Sequence, residues 1–242
     1  AEHYKALDMT LIRDVFERSF GDAGKLTVYV CDDLSHEESL ASDLRNMIAS
    51  LPVKESKDAV KGRKQKSWPL YKGRHSYMEG RALKTVPKSE VKLSYKYDIK
   101  LKNKEFVILD ILDYIMDARC MNKIREERGG TYSVTFSTEV FNEGKVAESS
   151  IEFQTRPEMT DLLVNDAKTL VKEMAENGPA EAEFENARKY LAKHHYELQA
   201  RYRQNLSRKL NSYVMKDRYG IDKEKDYLVL LEKASIRDIR KM

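Results

Sequence analysis

Cysteine, proline, tryptophan and long apolar runs are all scarce in this 242-residue sequence, and each shortage removes a class of protein. Two cysteines, Cys31 and Cys120, are too few and too far apart for a disulfide framework or a zinc cluster. Both are expected to be small buried residues, and they leave the compartment open. No stretch approaches the roughly 18 apolar residues of a membrane span. The opening AEHYKALDMT lacks the basic start and apolar run of a signal peptide. Charge of one sign is missing as well: 44 basic and 40 acidic residues give a net +4, too balanced to imply nucleic acid as a partner.

Common catalytic signatures are also absent. There is no G-x-S-x-G stretch and no Walker or Rossmann glycine pattern. Two stretches start like zinc sites and stop short. His36-Glu37-Glu38-Ser39-Leu40 opens like H-E-x-x-H, and His194-His195-Tyr196-Glu197-Leu198 opens like H-x-x-E-H. Leu40 and Leu198 stand where a second imidazole must be, and one helical face needs two ring nitrogens to hold one ion. The reading therefore assigns no metal site to this chain. His36 is expected in a first helical turn and His194 as a partly buried, hydrogen-bonded ring. Asp110, Asp113 and Asp117 read as a solvated helix side, with a metal-binding face as the other reading. The basic run from Lys54 to Arg74, with Trp68 and Tyr71, reads as a solvated loop; stacking on single-stranded nucleic acid is the rival.

What is present is a pattern of amphipathic helices and alternating strands. Leu7 to Phe20 has helical periodicity up to Gly21, and LTVYVC (residues 26–31) reads as a buried strand. Ser35 opens the next helix with a capping-box order, and that helix stops before Pro52. Residues 53–73 read as a loop or linker, and strands are expected at 75–83 and 91–99. Asn103 is placed as the cap of a helix to about Ile124. Tyr132 to Val140 alternates, and FNEGK turns it into a second alternating strand with Ala147, Ile151 and Phe153 on its apolar face, a hairpin signal. The rest is helical, with one long or two joined helices between Ala180 and Met215, a shorter one over Asp222–Glu232, and a last one opened by Ser235. The cut-off of that last helix suggests a fragment of a longer chain. The expected fold is α+β: one domain over residues 1–242, an antiparallel sheet with helices packed on one face.

The stretch MNKIREERGGTYSVTF, residues 121–136, passes from helix to strand through Gly129 and Gly130 alone. Arg125 and Tyr132 flank this turn. A guanidinium and a phenol hydroxyl converging from a helix end and a strand start would hold a carbonyl and stabilise the oxyanion it becomes under attack. The other reading has Tyr132 sharing the parity of Val134 and Phe136 and closing the core.

NKIREERGGTYSV resembles the Leu-Arg-Glu-x-x-Gly-x-x-Tyr-Ser-Val signature of the C-terminal type of domain in the pitrilysin/insulinase family of zinc metallopeptidases. RSFGDAGKLTVYVCDDLSHEESLASDLRNMIASLP is similar to the family's helix–strand–helix segment. NGPAEAEFENARKYLAKHHYE resembles its later helix. The resemblance implies a two-layer domain that pairs with a zinc-carrying domain of the same fold. Arg125 and Tyr132 would serve as the catalytic Arg/Tyr pair, with Gly129 and Gly130 beside the peptide substrate. Zinc would sit in the partner domain, and this chain alone would be inactive. A bacterial periplasmic or cell-envelope setting is implied by the family only. The missing zinc motif fits a half-enzyme; the rival is a non-catalytic assembly module of the same fold.

Overall fold

The computed structural model describes residues 8–30, 37–53, 73–80, 86–141, 145–201, 206–222 and 224–242. Two compact units, Ala1–Lys66 and Ser67–Met242, make up the chain.

In the first unit, α1 spans Met9–Phe20 and α2 spans Glu37–Ala49. Asp8 caps α1, its carboxylate accepting from the Leu11 N–H at 2.7 Å, and the Gly21 N–H closes the other end onto Glu17. A short 3₁₀ turn, Ala23–Lys25, is tied down by the Ala23 N–H donating to the Pro52 carbonyl at 2.8 Å. The expected buried strand does not form over the described residues 26–30. They belong to no ladder, and Leu26, Val28 and Val30 are exposed. β-branched residues favour extended backbone, but a strand is buried only by the sheet it joins. Cys31, Ser35, His36 and residues 54–72, which include nearly all of the expected linker, lie outside the described residues.

The second unit carries the sheet. Residues 73–80 form no strand, and Tyr77 and Met78 are exposed, so the strand expected from residue 75 is absent there. The described strands are β1 (Ser89–Asp98), β2 (Val134–Phe141) and β3 (Val146–Thr155), antiparallel in the order β1-β3-β2. Register runs without interruption from Ser89 opposite Thr155 to Asp98 opposite Val146, and from Val134 opposite Phe153 to Phe141 opposite Val146. The expected hairpin is β2–β3. Alternation sends Val134, Phe136, Ile151 and Phe153 into the core, with Val91 and Leu93 packed against it. The other face is wet and charged, with Lys92 on Glu152 at 2.7 Å and Lys96 on Glu148 at 3.1 Å.

Helix α3 (Asn103–Cys120) is the centre of the unit. Val107, Ile108, Leu109, Ile111, Ile115, Met116 and Cys120 are all buried, more than one face's worth, because α3 meets β2 on one side and other helices on the rest. Each such side chain contributes about 1.5–3 kcal/mol by leaving water. Asn103 is not the cap: it is the first helical residue, and its side-chain oxygen accepts from the Asp222 N–H at 3.1 Å. Helices α4 (Thr160–Asn177), α5 (Glu181–Ala200), α6 (Leu206–Tyr219), α7 (Tyr227–Lys233) and α8 (Ile236–Arg240) complete the layer. The long helical stretch from Ala180 is thus two helices. Ser235 precedes α8 as its N-cap, its N–H and hydroxyl both donating to the Asp238 carboxylate. The unit is the expected two-layer α+β sandwich.

Candidate functional site

The turn from helix to strand is built by division of labour. After Cys120 the helix widens to π-type hydrogen bonding over Met121–Glu127, and Ile124 in that segment is completely buried. Gly129 then takes φ +59°, a left-handed conformation, and its N–H donates to the Arg125 carbonyl at 2.9 Å. That bond is the αL helix stop. Gly130 serves another need. A Cβ there would lie 2.7 Å from Leu163 Cδ1 and 2.9 Å from Met159 Cε, so a side chain at this position would have to displace the ends of both. One glycine supplies backbone angle and the other supplies space.

Neighbouring bonds fasten the turn. The Thr155 hydroxyl, at the end of β3, donates to the Gly130 carbonyl at 2.6 Å. Arg128 forks onto Asp166 of α4 at 2.6 and 3.2 Å. The Thr131 hydroxyl donates to the Ser133 carbonyl at 2.7 Å. The ladder of β2 starts at Val134, so Tyr132 precedes it and is not bound by its parity. Tyr132 is 91% exposed and makes no hydrogen bond among the described residues. This removes the core-closing reading. Arg125 is exposed too, its guanidinium donating to the Met121 sulfur at 3.4 Å and lying 3.7 Å from the Glu126 carboxylate. No hydrogen bond joins the Arg125 and Tyr132 side chains.

The three aspartates of α3 are not a solvated side. Asp117 accepts from the Phe136 N–H at 2.9 Å. Asp113 accepts from the Thr138 N–H at 3.1 Å and from its hydroxyl at 2.6 Å. Asp110 accepts from the Tyr227 hydroxyl at 2.9 Å. A polar stripe on a helix has the same spacing whether it faces water or the N–H groups of a strand edge, which is why the sequence does not distinguish them. Burial pushes the Asp113 carboxyl up to about 6, against the opposing pull of its two Thr138 bonds.

A second polar region lies between α3, α5, α6 and α7. A cavity of about 380 Å³ is lined by Asp110, Asp113, His194, His195, Arg208 and Tyr227 among others. The buried histidine is His195, not His194: His194 is exposed and stacks on Tyr190, whereas His195 lies on the Tyr227 ring at 4.8 Å. His195 follows Leu191 by one helical turn, so it shares the inward face. Burial lowers its pKa, and its Nε2 meets the Gln199 amide at 2.9 Å. Among the described residues no group of three His, Cys, Asp or Glu side chains is arranged to hold a metal ion. Cys120 is buried, its thiol pushed up to about 12 by that burial. No described helix is long and apolar enough to cross a membrane.

A family model described as the peptidase M16 inactive domain matches residues 6–191, more than half of the chain. The chain belongs to the peptidase M16 inactive-domain family. The resemblance of its sequence to pitrilysin/insulinase-type zinc metallopeptidases is thereby established at the family level. No curated protein matches. Among solved structures, the M16 domain is similar to the periplasmic protease PqqL from Escherichia coli, at 18% identity and TM-score 0.62, over 85% of this chain and 22% of that one. It is also similar to a predicted insulinase-family protease from Yersinia pestis, at 14% identity and TM-score 0.62, over 85% of this chain and 45% of that one. The first half of PqqL matches at 12% identity and TM-score 0.57, over 86% and 46%. At these identities the likeness shows a shared fold. The M16 chain spans about a fifth of whole PqqL and under half of the other two.

Proposed function

We propose that this M16 domain is the substrate-binding, transition-state-clamping part of a zinc endopeptidase whose metal sits in a partner domain of the same fold. The observation that carries the reading is Tyr132. An exposed phenol without a partner among the described residues, on a turn that two glycines, Thr155 and the Arg128–Asp166 fork hold in place, is free to meet a ligand. In this reading the Tyr132 hydroxyl donates to the oxygen of the scissile carbonyl, where negative charge develops, and the Arg125 fork holds the peptide backbone. Gly129 keeps side chains off the approach to the turn, and Gly130 lets the turn that carries the substrate contacts pack against α4. Peptide would bind in extended form along a strand edge. In this reading the metal ligands come from the partner domain, and the part of this chain is substrate binding and charge stabilisation.

The likeness to halves and quarters of larger proteases supports a partner domain, in the same chain or another subunit. The likeness to a periplasmic protease supports a periplasmic or cell-envelope setting. The assembly-module alternative keeps the fold and drops the chemistry. Zinc content and peptide cleavage of the complete gene product, assembled with its partner subunit where the partner domain is a separate chain, wild type beside Arg125→Ala, test the choice. The clamp reading expects about one zinc per molecule in both and turnover only in the wild type. A product that holds no zinc and cleaves nothing supports the assembly module.

A further inference from the structure

Asp117 and Asp113 bond to the outer edge of β2 in a fixed step. Going back four residues along α3, from Asp117 to Asp113, goes forward two residues along β2, from Phe136 to Thr138. The two lengths agree: four helical residues rise about 6 Å, and two strand residues about 6.6–6.8 Å. Phe136 and Thr138 share one parity, so both N–H groups point away from β3 on the same edge. Beyond the Asp117 rung the helix continues through the π-type segment Met121–Glu127, which carries Arg125, and Tyr132 lies two residues before the first residue of β2. Within that segment the Arg125 guanidinium donates to the Met121 sulfur at 3.4 Å.

We infer that Asp113 and Asp117 are positioning residues for the Arg125–Tyr132 pair. Two carboxylate rungs pin β2 to α3, and so fix against each other the helix that leads into Arg125 and the strand that follows Tyr132. The physical need is clear. A strand edge with open N–H groups pairs with whatever is offered, and a slip of one residue turns every side chain to the opposite face. Behind the Asp113 rung the pin continues across the sheet: the Thr138 hydroxyl meets Ser149 at 2.8 Å, and Ser149 meets the Tyr97 hydroxyl at 3.1 Å. This inference rests on the clamp reading of Arg125 and Tyr132.

The test is a double-mutant cycle in the complete gene product, paired with amide hydrogen exchange over residues 134–138. Asp117→Ala is expected to speed exchange at Phe136 and to lower kcat about ten- to a hundredfold, the cost of a displaced catalytic group, with KM little changed. Asp117→Asn, which keeps an acceptor oxygen, restores both. In a Tyr132→Phe background the Asp117→Ala loss should vanish, because one acts through the other. Asp117→Ser, too short to reach the strand, takes the place of the alanine variant if that one does not fold. Unchanged exchange in Asp117→Ala means the rung is absent and overturns the inference whatever the activity does. Faster exchange with unchanged kcat, or a loss that adds in full to that of Tyr132→Phe, overturns the positioning role. A Tyr132→Phe protein with wild-type kcat removes the clamp reading and this inference with it, while exchange still reports whether the rung exists.

Discussion

Two tyrosines of the sheet-bearing unit make opposite use of the same side chain. Tyr227 is 5% exposed, stacked on His195, with its hydroxyl on Asp110, and burial followed by the Asp110 charge drives its phenol well above the ordinary range. Tyr132 is 91% exposed and bonds to nothing described. Around Tyr227 the cavity holds histidines, acids and an arginine, a collection that looks catalytic by composition alone. Yet Tyr227 and Asp110 bond to each other, His195 meets Gln199, and Arg208 sits 3.8 Å from Glu224. Chemistry-bearing residues that satisfy one another hold a fold together. Tyr132 has no such partner among the described residues.

The contrast predicts unequal responses. The largest effect on stability is expected from Tyr227→Ala, about 3–5 kcal/mol lost in urea unfolding, the size for emptying a buried aromatic site. Tyr132→Ala in the same assay should stay within about 0.5 kcal/mol of wild type. Equal losses at the two positions would erase the distinction.

Asp113→Asn comes next and depends on pH. The folded carboxyl sits near 6 against an ordinary 3.8, so the folded state binds its proton more tightly than the unfolded chain. Asp113 therefore contributes stability below about pH 4 that is lost as pH rises through 6. The difference is worth about 3 kcal/mol. The asparagine variant should gain on the wild type by up to that amount between pH 4 and pH 7, read from urea midpoints at each pH. A gap that does not move with pH contradicts the burial of this group.

The two glycines should separate by mechanism. Gly130→Ala must push aside Leu163 and Met159, an overpacking cost of about 1–3 kcal/mol. Gly129→Ala meets nothing within 4 Å but must hold φ +59°, costing about 1–2 kcal/mol. Replacing Gly129 with Asn, which tolerates the left-handed region, should recover part of that loss, whereas Gly130→Asn should be worse than alanine. Thermal unfolding of the four variants decides between angle and space.

Much of this architecture is readable from residues. β2 and β3 alternate cleanly because one face is wet, and the hairpin follows from that pattern. The tightness of the 129–130 turn is visible as well, but not that one glycine answers a backbone angle and the other a leucine on α4, since Leu163 is 33 positions away in sequence. The parity of Tyr132 with Val134 and Phe136 pointed inward. Parity holds only inside the ladder, and the ladder starts two residues later. LTVYV carries strand propensity that the described residues do not turn into a ladder. The aspartate stripe of α3 reads as a surface because sequence gives its spacing and not what it faces. Asp113 and Asp117 face alternate N–H groups of the following strand, a pairing that their four-residue spacing matches.

The most direct test of the central claim is Tyr132→Phe in the complete gene product, with peptide turnover and melting temperature measured on the same preparation. A loss of about a hundredfold or more in kcat is expected, the size of one oxyanion donor, with the melting temperature unchanged. Wild-type turnover in that variant would contradict the claim.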